Sequence, residues 1–433
     1  MGGSQEGRPD LALGIDLGSS GLRLALIDDQ GCVLSERSGA YTLPFEQPEG
    51  WREGLVGLIG TLEASLRARV GAIALDGTSG TLLLCRPDGT ALGPALPYHQ
   101  ACPEQAEALA VLVPAGSPAA SASGSLARAL NLLSREGALD GSQHLLLRHQ
   151  ADWLMGWLLG HWRWGEAGNN LRLGWDLQRE AWAGRIEHQT WSSALPEVVA
   201  SGTALGPLAG EMAKRLGLPT TCLVVSGTTD ANAAVLAADP GPGDGVAVLG
   251  TTLVLKRFVE APLEGPGLTN HRVGGRWLVG GASNAGAGIL RRFFTPEQIE
   301  QLSRQIDPRR PTGLCLRPLA ARGERFPVDD PQLEPVLEPR PISDALYLQA
   351  LLEGLTAIEA QGWQRLAELG APPLERVISL GGGARNPQWR LLRQRALGIP
   401  VLNRPGLAPA VGTAQLALRG WRMGALTMPQ RSP

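Results

Sequence analysis

The chain has 433 residues, a length that suits two large domains better than one. Hydrophobic residues make up 43% of the chain and charged residues 18%, which is an ordinary globular composition. The formal net charge of −2 gives no electrostatic reason to expect nucleic acid or a membrane surface as a partner.

The cysteines and the N-terminus favour a reducing compartment. The five cysteines are scattered along the chain, and none are paired as in a structural zinc site. Residues 1–10 are polar and lack the apolar segment of a secretory signal. The most apolar stretch, residues 153–164, is too short to cross a bilayer. We therefore expect a cytoplasmic protein without a membrane partner.

The first strong signal is a β-hairpin predicted over residues 13–27. Two short apolar runs flank a polar turn with the sequence Asp16-Leu17-Gly18-Ser19-Ser20-Gly21. The amides and hydroxyl groups of such a turn can hold a phosphate, and the Asp16 carboxylate is suited to hold Mg²⁺ through water. Gly18, Ser19 and Ser20 are therefore candidate phosphate contacts. The alternative is an ordinary hairpin with a polar turn.

The order of elements that follows is typical of an α/β domain. We expect a strand over residues 32–40, a loop at 47–53, a helix over 55–68 and a buried strand over 70–76. That strand ends in Asp76-Gly77-Thr78-Ser79-Gly80-Thr81. Open α/β sheets bind ligands at such strand ends, so this segment is a candidate site. A tight turn without a functional role is the alternative.

A second carboxylate stands at a strand-to-helix junction. A predicted buried strand over 221–226 runs through Gly227-Thr228-Thr229 into an alanine-rich helix, with Asp230 in the first turn. A carboxylate there is favoured by the helix dipole and stays ionised near neutral pH. Asp230 is therefore a candidate general base. The alternative is an N-capping residue without a catalytic role.

The pattern of the opening hairpin recurs in the second half of the chain. The Pro- and Gly-rich segment 240–245 predicts a domain boundary, which divides the chain into residues 1–238 and 239–433. Directly afterwards, a strand, the turn Gly250-Thr251-Thr252 and a second strand repeat the first hairpin. The repetition predicts a duplicated fold with the phosphates of a nucleotide held between the halves.

Glycines mark further turns. Residues 280–288 predict a glycine-rich turn, and residues 345–369 have helical periodicity. A predicted strand over 376–380 then ends in Gly381-Gly382-Gly383-Ala384-Arg385-Asn386. Three glycines leave a flat backbone on which an adenine ring can lie, with Trp389 at its border. A last helix is predicted over 408–418.

Several common catalytic motifs are absent. The chain contains no GxxxxGK[ST], no GxGxxG, no HExxH and no GxSxG. A P-loop enzyme is therefore excluded. Among phosphate-handling folds, those that use paired Gly-Ser/Thr hairpins remain.

Together, these stretches resemble the FGGY carbohydrate kinases, within the actin/hexokinase-like ATPase superfamily. The matching stretches occur in the family's order and span the chain: residues 14–23, 227–230, 250–252 and 380–386. The resemblance implies an α/β protein with two RNase H-like domains around a central cleft. It implies a sugar on the first domain and ATP, with Mg²⁺, largely on the second. We expect a monomer or homodimer.

The resemblance also implies roles for single residues. Asp230 matches the catalytic base, which takes the proton from the sugar hydroxyl as that oxygen attacks the γ-phosphate. Asp16 matches the carboxylate that faces Mg²⁺ and the transferred phosphoryl group. The turns 18–20 and 250–252 match the two phosphate hairpins. The adenosine motif matches Gly381, Gly382 and Asn386. Such a reaction needs positioning and charge neutralisation rather than a protein nucleophile.

The predicted sugar site departs from the xylulokinase pattern. Xylulokinases carry Ser-Gly-Gln-Met-His-Gly where this chain has residues 76–81, and their Trp-x-Asp-x-Arg is replaced at residues 98–102. With its shorter length, the chain is similar to the compact cyanobacterial and plant-plastid branch, which resembles D-ribulose kinases. That similarity implies D-ribulose as the substrate, with its 5-hydroxyl as the acceptor.

The same similarity implies the sugar contacts. Ser79 and Asp230, with Asp16 nearby, would hold the sugar, and Trp51 and Glu53 match the family's Trp-x-Glu loop. The alternatives are a kinase for D-xylulose or another polyol such as glycerol, and an actin-like ATP-binding regulator that hydrolyses ATP slowly. Retention of Asp230 argues against the regulator, because a binding module has no need of a base.

Overall fold

The computed structural model describes residues 9–427. Within these residues the chain forms two compact units. One comprises residues 9–237, 272–275 and 408–427, and the other comprises residues 238–271 and 276–407. Each unit combines helices with a large sheet, as the sequence predicts. No helix within residues 9–427 has both the length and the apolar character needed to cross a membrane.

Strands and helices alternate along most of the chain. The strands are, in chain order, β1 (Leu11–Gly18), β2 (Gly21–Ile27), β3 (Val33–Gly39), β4 (Val70–Gly77), β5 (Leu82–Cys85), β6 (Leu146–His149), β7 (Trp164–Glu166), β8 (Trp175–Asp176), β9 (Ala181–Trp182), β10 (Glu197–Val199), β11 (Ala204–Pro207), β12 (Leu223–Val225), β13 (Asp244–Leu249), β14 (Leu253–Val259), β15 (Leu268–Val273), β16 (Arg276–Ala282), β17 (Arg376–Leu380) and β18 (Val401–Asn403). The α-helices are α1 (Pro48–Gly60), α2 (Ala64–Arg67), α3 (Ala106–Leu112), α4 (Ser125–Arg135), α5 (Gln150–Leu159), α6 (Ala167–Asn170), α7 (Gly184–Glu187), α8 (Gly210–Leu216), α9 (Asp230–Ala237), α10 (Pro296–Ser303), α11 (Asp344–Glu368), α12 (Pro387–Leu397) and α13 (Pro409–Thr427).

The first unit is built on a sheet with the strand order β11-β12-β4-β1-β2-β3. β1 runs antiparallel to β2 and parallel to β4, and β4 runs parallel to β12. The central strands β1 and β4 are buried along nearly their whole length, as expected for apolar strands covered on both faces. Since β1, β4 and β12 are parallel, they end at the same edge of the sheet.

The last helix, α13, packs on the first sheet although it follows the second unit in the chain. Small apolar residues of α13 share a buried cluster with alanines of β1 and β4. A Cβ atom added to Gly14 of β1 would lie 2.1 Å from the Ala410 carbonyl oxygen, so only glycine permits this approach. The sequence-based division at 238/239 assigns this helix to the second domain. The structure differs here because close packing of small residues, not chain order, decides where the helix docks.

The second unit repeats the strand arrangement of the first. Its sheet has the order β15-β16-β14-β13-β17-β18. β13 runs antiparallel to β14 and parallel to β17, which in turn runs parallel to β18. Tyr347, Leu351 and Leu355 of the long helix α11 belong to the buried core of this unit. The recurrence of a hairpin followed by parallel strands confirms the repetition that the sequence predicts.

Two local predictions are wrong. Most of the loop predicted at residues 47–53 lies in the first turns of α1, which begins at Pro48. Proline is favoured at a first helical position because its missing N–H is not needed there. Gly280 and Gly281, predicted in a turn, lie inside β16. A Cβ atom added to Gly281 would lie 2.4 Å from the Phe326 ring, so this glycine makes room for a core aromatic side chain.

Candidate active site

Two carboxylates lie side by side where β1 and β4 end. Asp16 and Asp76 are register partners in this parallel pair, so their side chains leave the sheet on the same face. A parallel bridge between Gly77 and Thr229 continues the sheet towards the neighbouring strand end. Asp230 follows this bridge as the first residue of α9. The first unit thus brings together the predicted Asp16 and Asp230 around a third aspartate, Asp76.

Asp76 is fully buried. The Thr413 hydroxyl of α13 donates a hydrogen bond to its Oδ2, whereas its Oδ1 is buried without a hydrogen-bond partner. Burial first, and then the negative charges of Asp16 and Asp230, raise the pKa of Asp76 well above its ordinary value. A cation beside this carboxyl group would favour its charged form.

Asp16 is almost as buried as Asp76, but it has a positive partner. Its side chain is 2% exposed, and the Nη1 atom of Arg23 donates to its Oδ2 at 3.0 Å. The Arg23 side chain is itself 47% exposed. The carboxylate is therefore held in one orientation by a guanidinium group that stays accessible to an anionic ligand.

The first predicted phosphate hairpin forms as a tight turn. Gly18 and Gly21 are register partners at the ends of β1 and β2, and Ser19 and Ser20 between them are exposed. The Tyr41 hydroxyl donates to the Gly18 carbonyl oxygen at 2.9 Å, which fixes the start of the turn. The turn presents two hydroxyl groups to solvent. Phosphate binding by these residues stays a prediction.

Asp230 lies at the N-terminus of α9 and is accessible to solvent. The backbone N–H of Ala231 donates to Asp230 Oδ1 at 2.7 Å, and the side chain is partly exposed. The dipole of α9 favours a negative charge at this end of the helix. This environment meets the requirements of a general base. Its catalytic role stays a prediction.

The turn from Asp76 to Thr81 presents one partly exposed residue. The hydroxyl groups of Thr78 and Thr81 hydrogen-bond to each other at 2.6 Å. Gln150 Oε1 accepts from the Thr78 N–H at 3.2 Å and from its hydroxyl at 2.9 Å. Ser79 is partly exposed, whereas the other residues of the turn are buried. Internal hydrogen bonds therefore fix the turn and leave Ser79 available for a ligand.

The two residues of the Trp-x-Glu loop, Trp51 and Glu53, lie in different surroundings from Ser79. Trp51 is fully buried, its Nε1 donates to the Phe45 carbonyl oxygen at 2.8 Å, and its ring lies 5.9 Å from that of Trp153. It therefore has no surface with which to contact a sugar in this structure, because the core of the first unit encloses it. Glu53 is exposed on α1 and accepts from the Thr42 hydroxyl at 3.0 Å.

In the second unit, predicted nucleotide-binding residues line a cavity of about 710 Å³. The wall of this cavity includes Gly250, Thr251, Gly382, Asn386, Trp389 and Ser303. A Cβ atom added to Gly382 would meet no atom within 4 Å, so the backbone borders open space there. Thr252 and Gly381, also predicted as nucleotide contacts, are not part of this wall. The cavity has the size of a typical small-molecule site.

Hydrogen bonds fix one side of this cavity. Trp389 is 3% exposed, and its Nε1 donates to the Thr356 hydroxyl at 3.1 Å. Asn386 Oδ1 accepts from two backbone N–H groups at the start of α12, both at 3.0 Å, and its Nδ2 donates to the Ser303 hydroxyl at 2.8 Å. Asn386 therefore shapes the wall by capping a helix.

The aspartate pair of the first unit has the chemistry of a magnesium site. Mg²⁺ is usually held by one or two carboxylates together with water and substrate phosphates. Asp16 and Asp76 supply adjacent carboxyl groups, and the buried Oδ1 of Asp76 lacks a partner. Among residues 9–427, no group of three or more His, Cys, Asp or Glu side chains forms a metal site by itself. The residues present fit a magnesium ion shared with a phosphate ligand.

Two residues of this site were not predicted individually. Asp76 has a sequence signal, because it ends β4 as Asp16 ends β1, and glycine and serine follow both. Thr413 has no comparable signal. Its contact with Asp76 exists only because α13 docks on the first sheet.

Comparison with known proteins shows similarity to carbohydrate kinases. Residues 245–421 match the C-terminal domain of the FGGY family of carbohydrate kinases. The chain is 26% identical to a xylulose kinase from Bacillus subtilis (strain 168), over 94% of this chain and 88% of that protein. It is 24% identical to an L-fuculokinase from Salmonella typhi, over 98% of this chain and 95% of that protein. The chain is therefore similar to FGGY carbohydrate kinases in its second half and to two carbohydrate kinases over nearly its whole length.

The xylulose kinase and the L-fuculokinase that the chain resembles are phosphotransferases that act on an alcohol group. The crystal structure of a "xyloylose kinase" from Brucella ovis has the same fold, with a TM-score of 0.82 at 21% identity over 98% of this chain and 94% of that chain. This agreement confirms the predicted actin/hexokinase-like fold class. Sugar kinases use ATP, typically with Mg²⁺.

Proposed function

We propose that this protein is an FGGY carbohydrate kinase. It transfers the γ-phosphoryl group of ATP to the 5-hydroxyl of a ketopentose, with D-ribulose as the first candidate and D-ribulose 5-phosphate as the product. The turn 76–81 is the observation that carries this proposal. It begins at Asp76, leaves Ser79 partly exposed and lacks the Gln-Met-His side chains of xylulokinases. A serine hydroxyl and carboxylates suit a ligand that carries several hydroxyl groups.

In the proposed reaction, Asp230 is the general base. Its carboxylate accepts the proton of the 5-hydroxyl as that oxygen attacks the γ-phosphorus, and the bond from the γ-phosphorus to the ADP oxygen breaks. Ser79 hydrogen-bonds another hydroxyl of the sugar, which orients the acceptor. No covalent intermediate on the protein is required, in agreement with the lack of an activated nucleophile in the motifs.

The remaining residues bind ATP and its metal ion. Asp16 and Asp76 would hold Mg²⁺, which when bound neutralises charge on the phosphates. The turns 18–20 and 250–252 would contact the phosphates through amides and hydroxyl groups. The cavity of the second unit, at Gly382 and Trp389, would hold the adenosine.

D-xylulose is the second candidate. The similarity to a xylulose kinase over most of both chains favours a ketopentose of this kind. D-ribulose and D-xylulose differ only in the configuration at C3, so contacts to the 3-hydroxyl decide between them. The departure of residues 76–81 from the xylulokinase pattern is the reason to place D-ribulose first.

Coupled ADP release tests the proposal directly. The rate is measured with D-ribulose, D-xylulose, L-ribulose and glycerol against a blank without sugar. We expect the highest kcat/KM with D-ribulose. A higher kcat/KM with D-xylulose or glycerol would show that D-ribulose is not the preferred substrate. No stimulation by any of the four would contradict the ketopentose proposal.

A further inference from the structure

We propose that Arg128 is a positioning residue for the sugar. From inside the first unit, it holds two segments, the turn 76–81 and residues 98–100, in the arrangement that binds the ligand. Arg128 lies on α4 and its side chain is 1% exposed. The inference deepens the proposed function and rests on it, because it takes Ser79 to be a sugar contact.

The guanidinium group of Arg128 donates to four main-chain carbonyl oxygens. Nε donates to Gly80 at 2.8 Å. Nη1 donates to Tyr98 at 3.1 Å and to Gln100 at 2.6 Å. Nη2 donates to Ser123 at 3.0 Å. One side chain therefore ties together backbone segments that are remote in sequence.

The buried guanidinium group of Arg128 holds the main chain in place and forms no ion pair among its hydrogen bonds. Its hydrogen bonds run to carbonyl oxygens and not to a carboxylate. Burial lowers the pKa of Arg128 to about 10, so the side chain stays protonated at neutral pH. The donors of a guanidinium group point outward in a rigid plane, whereas those of a lysine radiate from one nitrogen. Only arginine can reach all these oxygens at once.

The turn is shaped around this arginine. Gly80 has a φ of 98°, and a Cβ atom added there would lie 2.8 Å from Arg128 Nη2. The backbone N–H of Tyr98 donates to the Thr81 hydroxyl at 3.1 Å, which links the two segments directly. Ser79 precedes Gly80, so a shift of the Gly80 carbonyl moves Ser79 with it.

The outer surface of the two segments carries groups suited to a sugar. Ser79 is partly exposed. Tyr98 is 43% exposed, and its ring lies 5.2 Å from that of His99 in an edge-to-face arrangement. These are the two stretches in which the chain departs from the xylulokinase pattern. Arg128 therefore fixes the spacing between a hydroxyl group and an aromatic surface without contacting the ligand.

The variant Arg128→Lys keeps the charge and removes the planar set of donors. We expect the KM for D-ribulose to rise about tenfold to hundredfold, because small displacements of positioning groups are costly, and the KM for ATP to change by less than about twofold. Arg128→Gln replaces it if the lysine variant does not fold. Equal changes in both KM values would overturn the positioning role.

Arg148→Lys is the matched control. Arg148 is 2% exposed, and burial lowers its pKa to about 10 as well. It donates to the carbonyl oxygens of Leu147, Trp162 and Ala194, all outside the two segments. This variant is expected to lose stability as Arg128→Lys does and to keep the wild-type KM for D-ribulose. If the KM for D-ribulose rose equally in Arg148→Lys, the effect of Arg128→Lys would be explained by a general loss of stability, and the positioning role would be contradicted.

Hydrogen exchange separates this inference from the proposed function, because it needs no substrate. In Arg128→Lys, the amides of residues 77–81 and 98–101 are expected to exchange at least about tenfold faster than in the wild type, since exchange reports local opening. In Arg148→Lys they are expected to be unchanged. Unaltered exchange in Arg128→Lys would overturn the inference. Suppose that exchange is faster in Arg128→Lys but that no sugar stimulates ADP release by the wild type. This result would support the role of Arg128 in holding the two segments and would contradict the proposed function.

Discussion

Five strands of each sheet follow the same order in the two units, but the chemistry at equivalent strand ends differs. Just before the first hairpin turn, Asp16 and Asp76 are paired across β1 and β4. At the corresponding place before the second turn, Val248 and Leu380 are paired across β13 and β17. The fold therefore supplies the place at which a ligand can bind, and the strand-end residues supply the chemistry. Carboxylates suit a metal ion and hydroxyl groups, whereas the apolar pair of the second unit offers neither charge nor hydrogen bonds.

A buried ion pair of the second unit contrasts with the buried carboxyl group of Asp76. In the second unit, Arg393 donates to Glu359 at 2.7 Å and to the Ser379 hydroxyl at 2.6 Å, and all three side chains are buried. This ion pair is satisfied within the protein. Asp76 of the first unit keeps a buried oxygen without a partner. An unsatisfied buried group points to a functional site more strongly than burial of charge alone.

Removal of the proposed base is the strongest test of this contrast. Asp230→Ala is expected to lower kcat for sugar phosphorylation by about 10²- to 10⁴-fold, because proton transfer is lost. ATP binding, assigned to the second unit, is expected to persist in titration calorimetry. Asp230→Asn, which keeps the shape, should be similarly inactive. Near-normal turnover in either variant would take the catalytic role away from Asp230.

Loss of the Ser79 hydroxyl is expected to act on the sugar alone. Ser79→Ala should raise the KM for D-ribulose by about tenfold, the equivalent of one hydrogen bond to the ligand. The KM for ATP should stay close to that of the wild type in the same coupled assay. Parallel changes in both constants would move Ser79 out of the sugar site.

The corresponding test in the second unit places a side chain in the cavity and measures ATP binding. Gly382→Leu is expected to weaken ATP binding by about tenfold, because the side chain enters open space that the adenosine would occupy. Gly406→Leu is the control, since a Cβ atom there also meets no atom within 4 Å and Gly406 does not line the cavity. Calorimetry with ATP checks both variants. Equal affinities would place the nucleotide elsewhere.

The smallest expected effect concerns stability. Asp76→Asn should raise the free energy of unfolding by about 1–2 kcal/mol in the absence of Mg²⁺, because it removes an unfavourably buried carboxyl group. The amide can still accept from Thr413 and can donate to Asp16. Urea unfolding at neutral pH measures the change. A clear loss of stability would contradict this account of Asp76.

Local sequence determined the elements on which the site is built. The apolar runs around residues 16–21 form β1 and β2, and Asp230 begins α9 as predicted. The helix predicted over 345–369 is observed as α11. These features depend on hydrophobic periodicity, glycines and helix-end preferences, which act over a few neighbouring residues. A sequence carries such information directly.

Only the tertiary structure decided which remote groups meet. It enclosed Trp51 in the core, docked α13 on the first sheet and brought Thr413 to Asp76. It also placed the Arg128 guanidinium against the carbonyl oxygens of two distant segments. These contacts arise from close packing and from the need to satisfy buried polar groups. Neither requirement leaves a fixed spacing in the chain, so the sequence pattern alone does not show them.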